Sequence, residues 1–249
     1  MPRFFITRDA VDPAAGMLTL RGADAHHIAR ALRLAVGDTV TVCDDGGTVY
    51  DCRLTRIRDD EVTAEILAES EESTESPLSI RLFMAYPKGD KFETVLQKAV
   101  ELGAARITPF ESERCVKRPP LEKQARLAER HAKIAEAAAK QCGRSVIPTV
   151  DTPLTFADAL RAAASTDLPL FCYEGAGTQS LRAVLERRPD ARTVSVIIGA
   201  AGGFSPEEAQ AATDAGCIAV GLGKRILRCE TAPAYVLSAL SYAYELPRD

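Results

Sequence analysis

The chain has no apolar run near the roughly 20 residues that a membrane-spanning helix requires. Its first residues, Met1-Pro2-Arg3-Phe4-Phe5, lack the long apolar stretch of a secretory signal. A cytoplasmic protein without membrane contact is therefore expected. Histidines number only three, and seven cysteines fall at positions 43, 52, 115, 142, 172, 217 and 229 with no Cys-x-x-Cys pair. An odd, scattered set argues against a disulfide framework and fits a reducing compartment. Without clustered Cys and His, no metal site is expected. The absence of a Gly-Lys-Ser/Thr triplet excludes a P-loop, and no Gly-x-Ser-x-Gly elbow marks a hydrolase nucleophile.

What is present is a chain of 249 residues, 46% hydrophobic, long enough for one large domain or two modest ones. Its net charge of −4 argues against a generally basic nucleic-acid binder, yet the charge is uneven. Residues 1–70 carry 8 Lys/Arg against 12 Asp/Glu, whereas residues 104–144 carry 10 against 5. Such a local excess is the footprint of a confined polyanion site, and equally that of a solvated helix face.

Residues 1–70 read as short strands and turns around one helix, which starts at Asp24 as N-cap and runs through His26, His27 and Ile28 to Leu32. Asp45-Gly46-Gly47 is a hairpin turn. The set predicts a small β-barrel-like module. Glu69 to Pro77 contains no apolar residue and reads as a linker. Beyond it strands alternate with helices, and the run Thr193-Val194-Ser195-Val196-Ile197-Ile198 is the apolar strand of a parallel sheet's middle. The fold class expected is α/β, with residues 1–72 and 73–249 as its two domains.

Three glycine-rich turns follow strands. Gly175-Ala176-Gly177-Thr178-Gln179-Ser180 imitates a dinucleotide fingerprint, but Ser180 stands where the third glycine belongs and no acidic residue ends the next strand. Gly199-Ala200-Ala201-Gly202-Gly203 has three glycines in five residues, which costs entropy unless backbone must approach a ligand. Gly221-Leu222-Gly223-Lys224-Arg225-Ile226-Leu227-Arg228-Cys229-Glu230-Thr231 joins such a turn to three cations and a helix with Pro233 in its first turn. Lys88, Lys91, Arg114, Lys117, Arg118 and Arg144 add positive charge suited to phosphate contacts. Cys229 beside Arg228 has no base to activate it and reads as pocket lining.

The stretch Leu222 to Ala232 resembles the signature of the RsmE-type methyltransferases of the SPOUT superfamily, which act on N3 of a uridine in 16S ribosomal RNA. Pro87-Lys88-Gly89-Asp90-Lys91 with Glu93 and Gln97-Lys98, then Lys140-Gln141-Cys142-Gly143-Arg144-Ser145, resemble two further motifs of that family, and Arg3 and Arg33 also fit. The resemblance covers essentially the whole chain. It implies a PUA-like RNA-binding barrel followed by an α/β domain tied in a trefoil knot, S-adenosyl-L-methionine as cofactor, small-subunit rRNA as partner, and a homodimer through the C-terminal domain. It implies that Tyr173, Glu174, Ile198, Gly199, Gly202, Gly203, Leu222, Gly223, Ile226, Leu227, Thr231 and Ala232 hold the cofactor. Arg228 is then the group that stabilises the uracil anion, Glu230 its catalytic companion that orients Arg228 or the loop, and Arg3, Arg33, Lys88, Lys91, Arg114 and Arg144 the RNA contacts. The family usually has Gly-Pro-Glu-Gly-Gly where this chain has Ala200 and Ala201 inside the turn. A cofactor-binding assembly protein with weakened turnover is the alternative that this departure suggests.

Overall fold

The computed structural model describes residues 1–70, 74–89, 91–116 and 120–246. The expected boundary at residues 72 and 73, and Asp90, Lys117 and Arg118, lie outside the described residues. The chain forms two compact units: residues 1–75 with 139–147, and residues 76–138 with the chain from 148 onward.

The first unit is built from β1 (Arg3–Ile6), β2 (Val11–Asp12), β3 (Met17–Arg21), α1 (Ala23–His26), β4 (Thr39–Asp44), β5 (Val49–Ile57) and β6 (Glu61–Ser70). One sheet runs in the order β1-β4-β5-β6-β3-β2, antiparallel except where β1 lies parallel to β4. Along β5, Tyr50, Cys52 and Leu54 are buried while Asp51, Arg53 and Thr55 face water, the period of two that puts one face on a core. Register shifts after Asp51 and after Leu54 let this sheet curl. Phe4, Leu18, Leu20, Val40, Val42 and Val62 fill the concave side, and Ile28 enters it from the helical segment.

That segment differs from its expected form. The helix begins at Ala23 after Gly22, whose φ is +62°, and widens after His26 into a π-turn over His27–Ala31. Asp24 does not cap it; its Oδ1 accepts from Lys140 Nζ at 2.7 Å. The widened turn sets His27 edge-on to Phe4, 6.4 Å between rings, and ends near Arg33, a left-handed residue at φ +52°. Arg33 stays exposed, as a phosphate contact would need.

Arg144 is otherwise. It is buried, and its guanidinium is committed to Glu75 through Nε at 2.9 Å and through an ion pair. The same carboxylate accepts from the backbone N–H groups of Ser145 and Val146. The expectation of a phosphate contact at Arg144 is thus corrected by its burial: the motif Lys140 to Ser145 holds residues 139–147 to the barrel through Asp24 and Glu75.

The second unit comprises β7 (Ser79–Ala85), α2 (Lys91–Glu101), β8 (Ala104–Glu111), α3 (Leu121–Cys142, whose last four residues count with the barrel), β9 (Thr149–Val150), β10 (Leu154–Thr155), α4 (Phe156–Ala164), β11 (Leu168–Cys172), β12 (Gln179–Ser180), α5 (Leu181–Glu186), β13 (Thr193–Ile198), α6 (Pro206–Asp214), β14 (Ile218–Gly221) and α7 (Thr231–Tyr244). All of its strand pairs are parallel, in the order β10-β8-β7-β13-β11-β14-β12, with β9 beside β8. β7 and β13 run near the centre and are buried along most of their length, which fits their largely apolar sequences, interrupted by Arg81 in β7 and Ser195 in β13. On α2, Phe92, Val95, Leu96, Ala99 and Val100 form the buried stripe that helical spacing dictates, and Gly103 at φ +85° ends it. The short strands β2, β9, β10 and β12, two residues each, carried no readable pattern.

After β14 the chain does not continue outward. Residues 222–230 carry it back toward the sheet's centre, where α7 packs against α2 and β13. That return sets residues 222–230 beside the turns that follow β11 and β13.

Because Arg144 shares a buried pair with Glu75, Arg144→Ala strands the carboxylate. We expect a stability loss of about 3 kcal/mol in chemical denaturation, and an unchanged unfolding curve would remove Arg144 from the barrel's supports.

Candidate active site at the carboxyl ends of the parallel strands

Parallel strands send all their carboxyl ends to one edge, and open α/β sheets hold ligands there. In this unit the turns after β11, β13 and β14 line one cavity of about 490 Å³, within the range of roughly 300–1,000 Å³ for small-molecule sites. Tyr173 and Glu174 come from the first turn, Ile198, Gly199, Ala200, Ala201 and Gly203 from the second, and Leu222 through Glu230 from the third, with Ala232 behind them. Of the residues expected to hold a cofactor, only Gly202 and Thr231 do not line it. Gly202 instead seats Arg114: its carbonyl accepts from the guanidinium at 2.9 Å, and a Cβ there would lie 3.2 Å from Arg114 Cβ. Thr231, exposed at the start of α7, donates its N–H to the Arg228 carbonyl at 2.8 Å.

The turn after β13 needs its glycines. Gly203 sits at φ +66°, and a Cβ on it would meet Glu174 Oε1 at 2.3 Å; a Cβ on Gly199 would press the Phe204 ring at 3.0 Å. Ala200 and Gly203 close the turn, with the Gly203 N–H donating to the Ala200 carbonyl at 2.9 Å. Phe204 beneath it packs 4.4 Å from Phe171 and lies parallel to Phe110 at 6.4 Å between centroids. Ser205 then starts α6 with a full capping box, its hydroxyl accepting from Glu208 N–H while Glu208 accepts from Ser205 N–H. The second oxygen of buried Glu208 accepts from Glu113 N–H at 2.8 Å, which pins this turn to the loop after β8. Glu208 was legible as the fourth residue of a Ser-x-x-Glu box, and was missed.

The third turn carries the charge. Lys224, Arg225 and Arg228 are exposed, and the Arg228 guanidinium makes no hydrogen bond or ion pair among the described residues. Glu230, expected to orient Arg228 or the loop, makes no bond to Arg228 among the described residues; its Oε1 accepts from Lys91 Nζ at 2.8 Å and its Oε2 from the Cys229 thiol of the loop at 3.2 Å. Lys91, expected among the RNA contacts, thus lines the cavity itself, while Lys88 is exposed in the loop after β7. The Lys91 ammonium holds the Glu230 carboxyl down at about 2. Burial pushes the Cys229 thiol up to about 11 and the Cys172 thiol to about 12, so neither is a nucleophile near neutral pH. Cys172, Thr178, Gly221, Lys224 and Arg225 also line the cavity; the last two were legible as neighbours of Arg228, while Thr178 and Cys172 gave no signal. At the imitation fingerprint, Gly175 serves its neighbour: a Cβ there would fall 2.3 Å from the Tyr173 ring. Arg3 is half-buried in the barrel. Among the described residues no cluster of His, Cys, Asp and Glu could hold a metal ion.

The cavity combines backbone at Gly199, Gly203 and Gly223 with the apolar side chains of Ile198, Leu222 and Leu227, a mixed lining of the kind that holds small molecules.

Comparison with known proteins points the same way. A family described as RNA methyltransferase domain matches residues 74–241, and one described as RNA methyltransferase PUA domain matches residues 20–67. The ribosomal RNA small subunit methyltransferase E of Bacillus subtilis is 33% identical, with 100% of this chain and 99% of the relative aligned. A ribosomal RNA small subunit methyltransferase E from Neisseria gonorrhoeae, solved bound to S-adenosyl methionine, superposes with a TM-score of 0.85 at 32% identity over 98% of each chain. A putative methyltransferase from Legionella pneumophila, also solved with that cofactor, gives 0.86 at 32% identity over 97% of each.

The ion pair between Lys91 and Glu230 has a defined pH signature. The folded carboxyl titrates at about 2 against an ordinary 4.5, so the pair stabilises the fold above pH 4.5 and that contribution fades as pH falls through about 2. Lys91 is 42% exposed, so the contribution stays near the 0.2–1 kcal/mol (roughly) of solvated pairs. An NMR titration of Lys91→Met is expected to show Glu230 moved up from about 2 toward the ordinary range, short of it because its own backbone N–H and the Cys229 thiol still hold the carboxylate; an unchanged value near 2 would mean that Lys91 is not what holds it down.

Proposed function

The chain belongs to the RNA methyltransferase family, with its PUA domain, and from that membership we propose that it methylates N3 of a uridine in small-subunit (16S) ribosomal RNA. The observation that carries this reading is the end-to-end match to a relative named for that rRNA subunit, in a chain whose cavity is lined by all but Gly202 and Thr231 of the residues expected to hold the cofactor.

S-adenosyl-L-methionine, when bound, supplies a methyl group on a cationic sulfur: nitrogen forms the new bond to carbon, the carbon–sulfur bond breaks, and its electron pair stays on sulfur. The chain's residues have two tasks. The first is to hold the cofactor, through backbone at Gly199, Gly203 and Gly223 and apolar contact from Ile198, Leu222, Ile226 and Leu227, with Tyr173 and Glu174 closing the opposite side. The second is to make uracil N3 a nucleophile, which it is not while protonated. We assign this role to Arg228, since a guanidinium stays charged and can donate hydrogen bonds to a uracil oxygen as negative charge develops. Glu230 is a poor proton acceptor, being ion-paired and titrating at about 2, and the N3 proton passes to solvent. Arg3, Arg33, Lys88 and Arg114 then bind RNA phosphates, and no metal takes part.

Ala200 and Ala201 leave the turn intact, because its closing bond runs between backbone groups; this favours an active enzyme over a protein that only binds cofactor. We place the reaction in the cytoplasm; no described helix is long and apolar enough to cross a membrane. A homodimer through α7 completes the reading, since Tyr235, Tyr242 and Leu246 are exposed on or just beyond that helix. Sedimentation is expected to give a dimer that Tyr242→Glu dissociates; a monomeric wild type would end that part of the proposal.

Labelled cofactor and isolated small subunits are expected to yield 3-methyluridine on nucleoside analysis, and Arg228→Ala to lower kcat about 10²–10³-fold, as loss of an anion-stabilising donor does. Label in another nucleoside, or none, overturns the proposal.

A further inference from the structure

Lys91 is the first residue of α2, a helix on the face of the sheet, yet it lines the cavity built by the turns after β11, β13 and β14. It is not a free surface lysine. Its Nζ is tied to Glu230 Oε1 at 2.8 Å, and Glu230 is itself held by the Cys229 thiol on its other oxygen. The three groups form a short chain from α2 into the turn that also carries Arg228. An ammonium has three donors and no acceptor. Glu230 uses one of them, and no other partner engages Lys91 among the described residues. Lys91 is partly exposed, so the remaining donors are open to water and to whatever occupies the cavity.

N3 of uracil lies between two carbonyl oxygens, and loss of its proton spreads negative charge over both. A single cation reaching both oxygens would lie across N3 itself, where the methyl group must arrive. Two cations lining one cavity, supplied by different elements, suit the pair.

We propose that Lys91 is a second catalytic residue of this site, donating to one of the two carbonyl oxygens beside the target N3 while Arg228 serves the other, and that Glu230 is a positioning residue that aims it. The proposal rests on the uridine-N3 reading given above. The proton at N3 leaves to solvent, the electron pair it leaves behind spreads over N3 and both oxygens, and Lys91 keeps all three of its protons throughout. The arrangement also selects the base. Cytosine carries an amino donor in place of one oxygen, so a donor-only cation finds no acceptor there, and sites built on such hydrogen bonds discriminate strongly against analogues that cannot make them.

The test compares wild type with Lys91→Met, Lys91→Arg, Glu230→Gln and Glu230→Asp on small-subunit RNA. For Lys91→Met we expect kcat to fall about 10²–10³-fold, with the calorimetric Kd for S-adenosyl-L-methionine unchanged and the alkaline rise of the rate moved to higher pH. Placing 5-fluorouridine at the target, whose N3–H is more acidic, should recover most of that loss. A short RNA carrying 5-fluorouridine should also bind wild type more tightly than Lys91→Met as pH rises, a readout independent of turnover. Glu230→Gln should give a smaller defect of the same kind, and Glu230→Asp and Lys91→Arg should restore much of the rate. An equal defect with uridine and 5-fluorouridine, or a loss confined to cofactor affinity, makes Lys91 a structural residue and overturns the proposal. Wild type that forms 3-methyluridine, with Lys91→Met fully active, overturns this inference alone; wild type that forms none overturns the underlying reaction as well.

Discussion

The site depends on one topological constraint, the return of the chain from β14 to the sheet's centre. Between the end of β14 and the start of α7 lie nine residues, 222–230. Fully extended they could span about 30 Å, whereas moving from β14 past β11 to β13 crosses two strand spacings, about 10 Å. The segment therefore has slack, and the slack folds into the wall that carries Lys224, Arg225 and Arg228. Gly223 at φ +107° takes the bend that an L side chain would resist. Had α7 continued on the outer side of β14, the same residues would be an ordinary surface loop.

The opposing wall is rigid for a different reason. The turn after β13 rests on Phe204, which lies against Phe171, Phe110 and Phe156. It is fastened at its far end by the Ser205–Glu208 box and from the side by Glu113 and Arg114. Its shape is thus set by backbone hydrogen bonds and an aromatic floor. Side chains at 200 and 201 enter none of those bonds, which is why alanine at both positions leaves the turn closed.

Much of this was legible in the sequence, and the residues show why the remainder was not. Alternation in Tyr50, Cys52 and Leu54, and the stripe on α2, are properties of neighbours a few positions apart, so strands and helices could be read with small errors at their ends. Glycine density likewise marked two of the three cavity turns. The partnership of Lys91 with Glu230, 139 positions away in sequence, has no local signature, and neither does that of Arg144 with Glu75. Both lysine and arginine looked like phosphate contacts because a cation's sequence neighbours do not reveal whether a carboxylate waits across the fold. The helix near His26 failed for a subtler reason: Asp24 is a good N-cap by type, but Gly22 reaches the left-handed bend at the helix start, and Lys140 claims the carboxylate.

Cations in this unit accordingly divide by what fixes them. Lys224, Arg225 and Lys88 are exposed, so they contribute a screened field with no fixed direction. Arg114 is anchored by one bond to Gly202, which aligns it with the turn after β13. Lys91 is anchored by a carboxylate that is itself anchored, and so has a direction as well as a charge. Transition-state stabilisation depends on donors that need no reorganisation when charge appears. By that criterion the value of Glu230 lies in being too weak a base to move a proton: a carboxyl titrating at about 2 stays ionised at neutral pH, and so keeps Lys91 aimed.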